Sequence, residues 1–537
     1  MSSKNGRKVL KLWVGMTALL AFVLMPFLTC SAAEQPRRGG TIVLPSNVDS
    51  STLNIALTTD TNSFRPMAEV FEGLVELDRD MNPLPGLADS WEISPDELTI
   101  TFHLAKNVKW HDGKPFTSKD VQYSLMEVVG KYHPRGRGIM ASVESIETPD
   151  DNTAVFHMKK VYAPLIMALT AKSCPIIPRH LYQGTDILKN PHNLDNPVGT
   201  GAFKFKEWVR GDHLTLVRND DYRKPGLPYL DRIIFKNIRD MGTRSLAFEK
   251  GEIDLLDFWT GSPEDYKRLS SLPDVTASPQ HGEPIIALMA FNQRDNKILA
   301  NLKVRQAIYY AIDRQFICEK ARYGLNPPLD SPIAQAFHDF YNPNVKKYKY
   351  DLTKANKLLD EAGYPRAADG IRFHISLTYN SGHHTEKPAQ IIKPMLKEVG
   401  IDVKLVAMER AVLYDKVFAE YDYDMFITAG STSGDPDIGI ARFYRTKDIR
   451  PVVYVNVARY SNPEVDRLFD EAASTMDRKK RAKAYYKIQE ILTEELPYIW
   501  FYEKAEDINL VHSTFKNCFQ RAYYGPMFTE VWWTGEK

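Results

Sequence analysis

Residues 371–407, IRFHISLTYNSGHHTEKPAQIIKPMLKEVGIDVKLVA, carry the pattern that decides the fold class. Ile371–Tyr379 alternates apolar and polar residues as a strand with one buried face does, and Ile401–Ala407 alternates again. Between them, Glu386–Val399 places its apolar residues at helical spacing and stops at Gly400. Strand, helix and strand in this order imply parallel strands joined by a right-handed crossover. Pro394 lacks the N–H that an interior helical position donates, so a kink or break is expected there.

Flanking segments extend the same reading. Asp351–Ala362 is an amphipathic helix, with Ala355, Leu358, Leu359 and Ala362 on one face and Gly363 and Pro365 as its stop. Pro463–Ala473 and Arg478–Leu492 read as helices, and Leu496–Tyr502 as an aromatic strand. Nearer the start, Thr41–Leu44 reads as a strand. Residues 91–104 read as strand, Ser-Pro-Asp turn and strand, with Leu98, Ile100 and Phe102 on one face. Lys109–Pro115 is a turn cluster, and Ser118 is the expected N-cap of a helix through Val121, Leu125 and Val128. The whole is a set of α/β lobes decorated with β-hairpins.

A length of 537 residues implies more than one domain, and 43% hydrophobic with 11% aromatic residues excludes a largely disordered chain. The formal charge of +1 is unevenly placed. Residues 1–33 hold Lys4, Arg7, Lys8 and Lys11 and no acid, followed by a 17-residue apolar run (12–28) and the small residues Ser31-Ala32-Ala33. This is the pattern of a cleaved secretory signal peptide, which predicts a soluble periplasmic protein. Cys30 raises a lipoprotein anchor, but Leu28 and Thr29 suit one poorly. After residue 33 the chain has 65 basic and 68 acidic residues, a net charge of −3, which supplies no general electrostatic reason to bind nucleic acid. Cys174, Cys318 and Cys518 form no disulfide framework and no zinc-like spacing.

Motifs of catalysis are few. Gly199-Thr200-Gly201 lacks a third glycine and precedes a strand, which fails the test of a phosphate loop. His111-Asp112, followed by Gly and Pro, reads as a turn. His383-His384 in a polar loop reads as solvated, leaving no expected metal or cofactor. Asp435 and Asp437 in Gly-Asp-Pro-Asp offer the paired carboxylates a hydrolase needs, yet such turns also occur without chemistry. The residues favour binding over catalysis.

Several ordered motifs then resemble one family, the extracytoplasmic solute-binding proteins of ABC importers, family 5, the dipeptide/oligopeptide/nickel-binding group. They are Leu87-Ala88-Asp89-Ser90-Trp91-Glu92 with Ser94-Pro95-Asp96 and Phe102-His103-Leu104, and Trp110-His111-Asp112-Gly113-Lys114-Pro115-Phe116 with Asp120-Val121. Further on stand Asn196-Pro197-Val198-Gly199-Thr200-Gly201-Ala202-Phe203 with Arg218-Asn219 and Tyr222, and Val304-Arg305-Gln306-Ala307-Ile308 with Ala311-Ile312-Asp313-Arg314. Tyr460-Ser461-Asn462-Pro463 with Val465-Asp466 completes the set, which spans nearly all of the chain after the signal.

The resemblance implies a bilobal fold like that of type II periplasmic binding proteins, with an extra inserted domain. Lobe I would comprise residues 34–76, 196–283 and 506–537, domain II residues 77–195, and lobe III residues 284–505, with a hinge near 283 and 505. It implies a monomeric receptor that closes on a peptide or peptide-like solute and docks on an inner-membrane permease with its ATPase. In peptide-binding relatives an Asp three residues before the Asp-Pro of this turn pairs with the ligand's α-ammonium; here that position is Thr432, a neutral hydroxyl. Asp435 and Asp437 are the nearest substitutes, and Lys387 falls near the expected partner of a ligand carboxylate. The aromatics Trp259, Tyr379 and Tyr421 would suit a stacking cleft for a sugar oligomer, opine or metal chelate instead. An exported hydrolase using Asp435 and Asp437, and a ligand-independent chaperone or sensor partner, are the readings from other classes.

Overall fold

Phe373–Asn380 and Ile401–Met408 pair in parallel, from Phe373 opposite Ile401 to Asn380 opposite Met408, and helix Glu386–Glu398 crosses between them. The helix buries Pro388, Ala389, Ile392 and Leu396. Pro394 does not break it, because that residue lies on the exposed face, where water can satisfy the Gln390 carbonyl left without a donor. Gly400 ends the crossover at φ +83°, and a Cβ there would sit 2.8 Å from the Gly370 carbonyl oxygen. These coordinates come from a computed structural model that describes residues 35–257, 259–279, 284–381, 385–504, 508–521 and 525–535.

The crossover belongs to a five-stranded sheet ordered Ile401–Met408, Phe373–Asn380, Met425–Ser431, Ile285–Phe291, Tyr498–Glu503. Ile285–Phe291 is buried throughout and pairs antiparallel on both sides, so its sequence, IIALMAF, is continuously apolar rather than alternating. The aromatic strand Tyr498–Glu503 lies at the sheet edge but is also fully buried, with Leu329 N–H donating to the Phe501 carbonyl at 3.1 Å.

A second sheet orders Thr41–Ser46, Arg232–Asn237, His213–Arg218 and Phe203–Val209, and a third unites Leu255–Leu256, Ile508–His512 and Val275–Pro279. A four-stranded antiparallel sheet, Ala88–Ile93, Thr99–Leu104, Thr153–Met158 and Val143–Asp150, is built wholly from residues 88–158. Within it Ile100, Phe102 and Leu104 form the buried face, whereas Leu98 precedes the strand and is 37% exposed, so the expected face is shifted by two residues along the chain. The N-cap of helix Ser118–Gln122 is Thr117 rather than Ser118. Thr117 N–H donates to Asp120 Oδ2 at 2.8 Å, one half of a capping box.

Gly199 and Gly201 are packing residues. A Cβ on Gly199 would lie 1.8 Å from the Val70 carbonyl oxygen, and one on Gly201 2.3 Å from that of Glu69. His111 completes this joint: its Nε2 meets the Gly201 carbonyl at 3.0 Å, and burial pushes its imidazole down to about 4. Asp112 bonds His180 at 2.6 Å. Cys174, Cys318 and Cys518 are unpaired.

The chain connects the third sheet and the five-stranded one twice, and the residues that flank the two connections are paired. Pro279 stands opposite Ile508 on one side of the passage and Ile286 opposite Glu503 on the other. Residues 280–283 and 505–507, where the hinge is expected, lie outside the described residues, as do residues 1–33 and His383-His384. Among the described residues no helix is long and apolar enough to cross a membrane, and no group of three or more His, Cys, Asp or Glu could hold a metal ion.

Candidate ligand-binding cleft

A cavity of about 1200 Å³ opens among three regions of the chain. One wall comes from residues 47–65 and 241–269, a second from 134–139 and Tyr162, and the third from 380–455 beside the five-stranded sheet. Its volume exceeds the few hundred Å³ that a small metabolite fills.

The first wall is shaped by a buried ion pair. Arg65 pairs with Asp257 and also donates from Nη1 to the Pro45 carbonyl at 3.0 Å. Asp257 Oδ1 accepts from Trp259 N–H and Thr260 N–H, both at 3.0 Å, and from Thr260 Oγ1 at 2.8 Å. Arg244 Nε donates to the Thr260 carbonyl at 2.8 Å. Two arginines therefore clamp a tight turn and present Trp259 at the cleft. A buried charge is tolerated only when paired and hydrogen-bonded in this way.

The opposite wall carries Asp437, which accepts from Arg445 Nη2 at 2.5 Å and from Tyr162 Oη at 3.1 Å across the cleft. Burial pushes the Asp437 carboxyl above its ordinary range, with Arg445 opposing. Tyr414, Phe418 and Tyr454 form an aromatic cluster beside it, with Tyr414 and Tyr454 hydroxyls 2.9 Å apart and Arg410 Nε donating to Tyr414 at 2.6 Å.

Of the residues singled out from sequence, Trp259 and Asp437 line this cavity. Thr432 lies beneath it, 1% exposed, with Oγ1 donating at 2.7 Å to the carbonyl of Pro284, so it pins the chain beside the passage at 280–283. Asp435 is 2% exposed and receives Arg481 Nη2 at 2.8 and 2.7 Å and the Tyr485 hydroxyl at 3.3 Å. It also accepts from Asp437 N–H at 2.9 Å as the cap of helix Pro436–Gly439. Lys387 is outside the cavity lining, bonded to Tyr323 Oη at 2.6 Å and 3.6 Å from Glu264 on helix Pro263–Leu269. Tyr379 is buried in its strand, and Tyr421 packs under the Arg459 guanidinium, 4.6 Å from ring centre to Cζ.

Sequence reasoning missed the basic lining. Arg442, Arg445, Lys447 and Arg450, within ten residues of chain, all reach the cavity. Their clustering was visible in ARFYRTKDIR, but a charged run ordinarily marks a solvated face, and nothing local separates the two cases.

Residues 82–450 match the family described as bacterial extracellular solute-binding proteins, family 5. Over 492 residues the chain is 28% identical to the oligopeptide-binding protein AppA of Bacillus subtilis, covering 88% of this chain and 87% of that one. It is 30% identical over 452 residues to heme-binding protein A of Haemophilus influenzae, covering 80% and 81% of the two chains. The periplasmic binding protein DppA of Helicobacter pylori, solved in complex with the peptide STSA, superposes with a TM-score of 0.78 at 28% identity, over 93% of this chain and 99% of that one. The agreement of sequence profile, full-length relatives and fold leads to one assignment: the chain belongs to the bacterial extracellular solute-binding proteins, family 5.

Proposed function

We propose that this protein captures a peptide or peptide-like solute between two lobes outside the cytoplasmic membrane and delivers it to an ABC permease and its ATPase. The observation that carries this reading is the cavity of about 1200 Å³, walled by segments that lie far apart in the sequence. A ligand touching all three walls gains contacts in the closed arrangement that it lacks when the walls part, so binding favours closure. The division into lobe I (34–76, 196–283, 506–537), domain II (77–195) and lobe III (284–505) is supported by the three- to five-stranded sheets, each of which draws its strands from one of these parts, while the short pair Val75–Leu77 and Pro83–Pro85 straddles the boundary at 76. The pairing of the flanking residues, Pro279 with Ile508 and Ile286 with Glu503, suits a two-segment hinge between them. Residues 1–33 act as a cleaved export signal, and the receptor works as a monomer without covalent chemistry.

A non-peptide solute is the second reading. Its support is Thr432, whose hydroxyl bonds Pro284 where peptide-binding relatives carry a carboxylate for the ligand's ammonium. Mass spectrometry of small molecules retained by the natively purified protein tests both, alongside thermal-shift screening with peptides, opines, oligosaccharides and metal chelates. A retained or stabilising peptide is expected; the absence of any saturable ligand rejects receptor function.

A further inference from the structure

We propose that the solute is a multiply charged anion, held by Arg410 and Lys447 on one wall and Arg137 on another; this rests on reading the cleft as the solute site. The described lining residues include nine arginines, two lysines and four aspartates, with no glutamate or histidine. All four aspartates are engaged within the protein. Asp257 pairs with Arg65, Asp437 with Arg445, and Asp448 with Arg450 at 3.3 Å, while Asp60 caps helix Thr61–Met67. Seven positive charges remain in formal excess. The rest of the chain after residue 33 has the opposite balance, 54 basic against 64 acidic residues. Positive charge is thus concentrated in the cleft of an otherwise acidic protein.

A concave, partly desolvated wall focuses that field, raising the local concentration of anions and repelling cations. Arginine adds geometry, since its planar fork matches a carboxylate or phosphate with two parallel bonds. Arg410 is already oriented: the Tyr414 hydroxyl, a neutral acceptor, holds its Nε at 2.6 Å and leaves its charge in place. Lys447 and Arg137 are exposed at the lining and reach the cavity from different walls.

The test is calorimetry on the protein lacking residues 1–33, with the tetrapeptides Ala-Glu-Glu-Ala, Ala-Gln-Gln-Ala and Ala-Lys-Lys-Ala, and with galactarate against galactitol. The Glu peptide is expected to bind at least about tenfold tighter than the Gln peptide and to weaken as NaCl rises from 20 to 300 mM, with the Lys peptide weakest. Lys447→Gln and Arg137→Gln, at exposed positions, should each weaken the Glu peptide about three- to tenfold and narrow its preference over the Gln peptide. Equal or tighter binding of the Gln peptide overturns the charge inference and leaves the peptide receptor standing. Binding of galactarate but of no peptide supports the charge inference and overturns the peptide reading. Failure of every anionic probe to saturate overturns the inference.

Discussion

Replacing Asp435 with asparagine removes the charge from a carboxylate that is 2% exposed and sits 2.8 and 2.7 Å from Arg481 Nη2. The Arg481 side chain is itself 8% exposed, and its Nε is held by the Ala472 carbonyl at 2.8 Å, so the guanidinium has no short route back to water. Breaking one side of a buried pair leaves the other charge uncompensated, at a cost of about 3–5 kcal/mol. The asparagine oxygen can still cap Asp437 N–H, so loss of the cap adds nothing to this cost. The expected net loss is about 3–5 kcal/mol, a large share of the 5–15 kcal/mol that stabilises a typical domain. Urea unfolding of the wild type, Asp435→Asn, Arg481→Gln and the double variant measures it, with the double variant losing less than the sum of the singles. If Asp435→Asn leaves the urea midpoint unchanged but abolishes binding of a ligand that saturates the wild type, the carboxylate acts on solute and the structural assignment is refuted.

Thr432→Asp would bury a carboxylate against the Pro284 carbonyl, so a stability loss of about 3 kcal/mol or more is expected, with no gain for peptides bearing a free N-terminus. A tenfold gain in peptide affinity at unchanged melting temperature would show that Thr432 occupies an ammonium site. Glu69 is fully buried, accepts from Met527 N–H at 2.7 Å, and burial pushes its carboxyl up to about 8. Its folded pKa lies above the unfolded value of 4.5, so the stability it contributes is present below pH 4.5 and is lost as pH rises to about 8, by about 1.4 kcal/mol per pH unit. Denaturation midpoints of the wild type and Glu69→Gln should diverge in the variant's favour between pH 5 and 8, and parallel curves would contradict this. Gly199→Ala forces a Cβ onto the Val70 carbonyl and should cost about 1–3 kcal/mol or prevent folding, whereas Gly138→Ala, with open space at its Cβ, should be neutral. Thermal melts that rank the two the other way would remove the packing role given to the Gly199–Gly201 motif.

Much of the fold was legible because its signals are local. Periodicity locates Glu386–Val399 and Pro463–Ala473 to within a residue, and the β-α-β order implies the parallel pairing that Phe373–Asn380 and Ile401–Met408 adopt. Misses arose where a neighbour overrode a local rule. Thr117 and Ser118 are both good caps, and the position of Asp120 decides between them. Leu98 continues an alternation that the turn at Ser94–Glu97 cuts short. The site was far less legible. Asp435 and Thr432 are polar residues in a turn beside the cleft, the appearance of ligand contacts, yet both face inward to Arg481 and Pro284.

By itself the sequence determined the elements, the family and the mild acidity of the chain after residue 33, because periodicity, glycine placement and composition are properties of the chain that survive unfolding. Only the tertiary structure decided which charges meet. Arg137, Arg410, Lys447 and Arg450 lie up to 313 residues apart, on segments whose polar character predicts exposure and nothing more. Folding turns these segments toward one cavity and leaves the acidic majority elsewhere, since a Coulomb field depends on distances in space that no one-dimensional count contains.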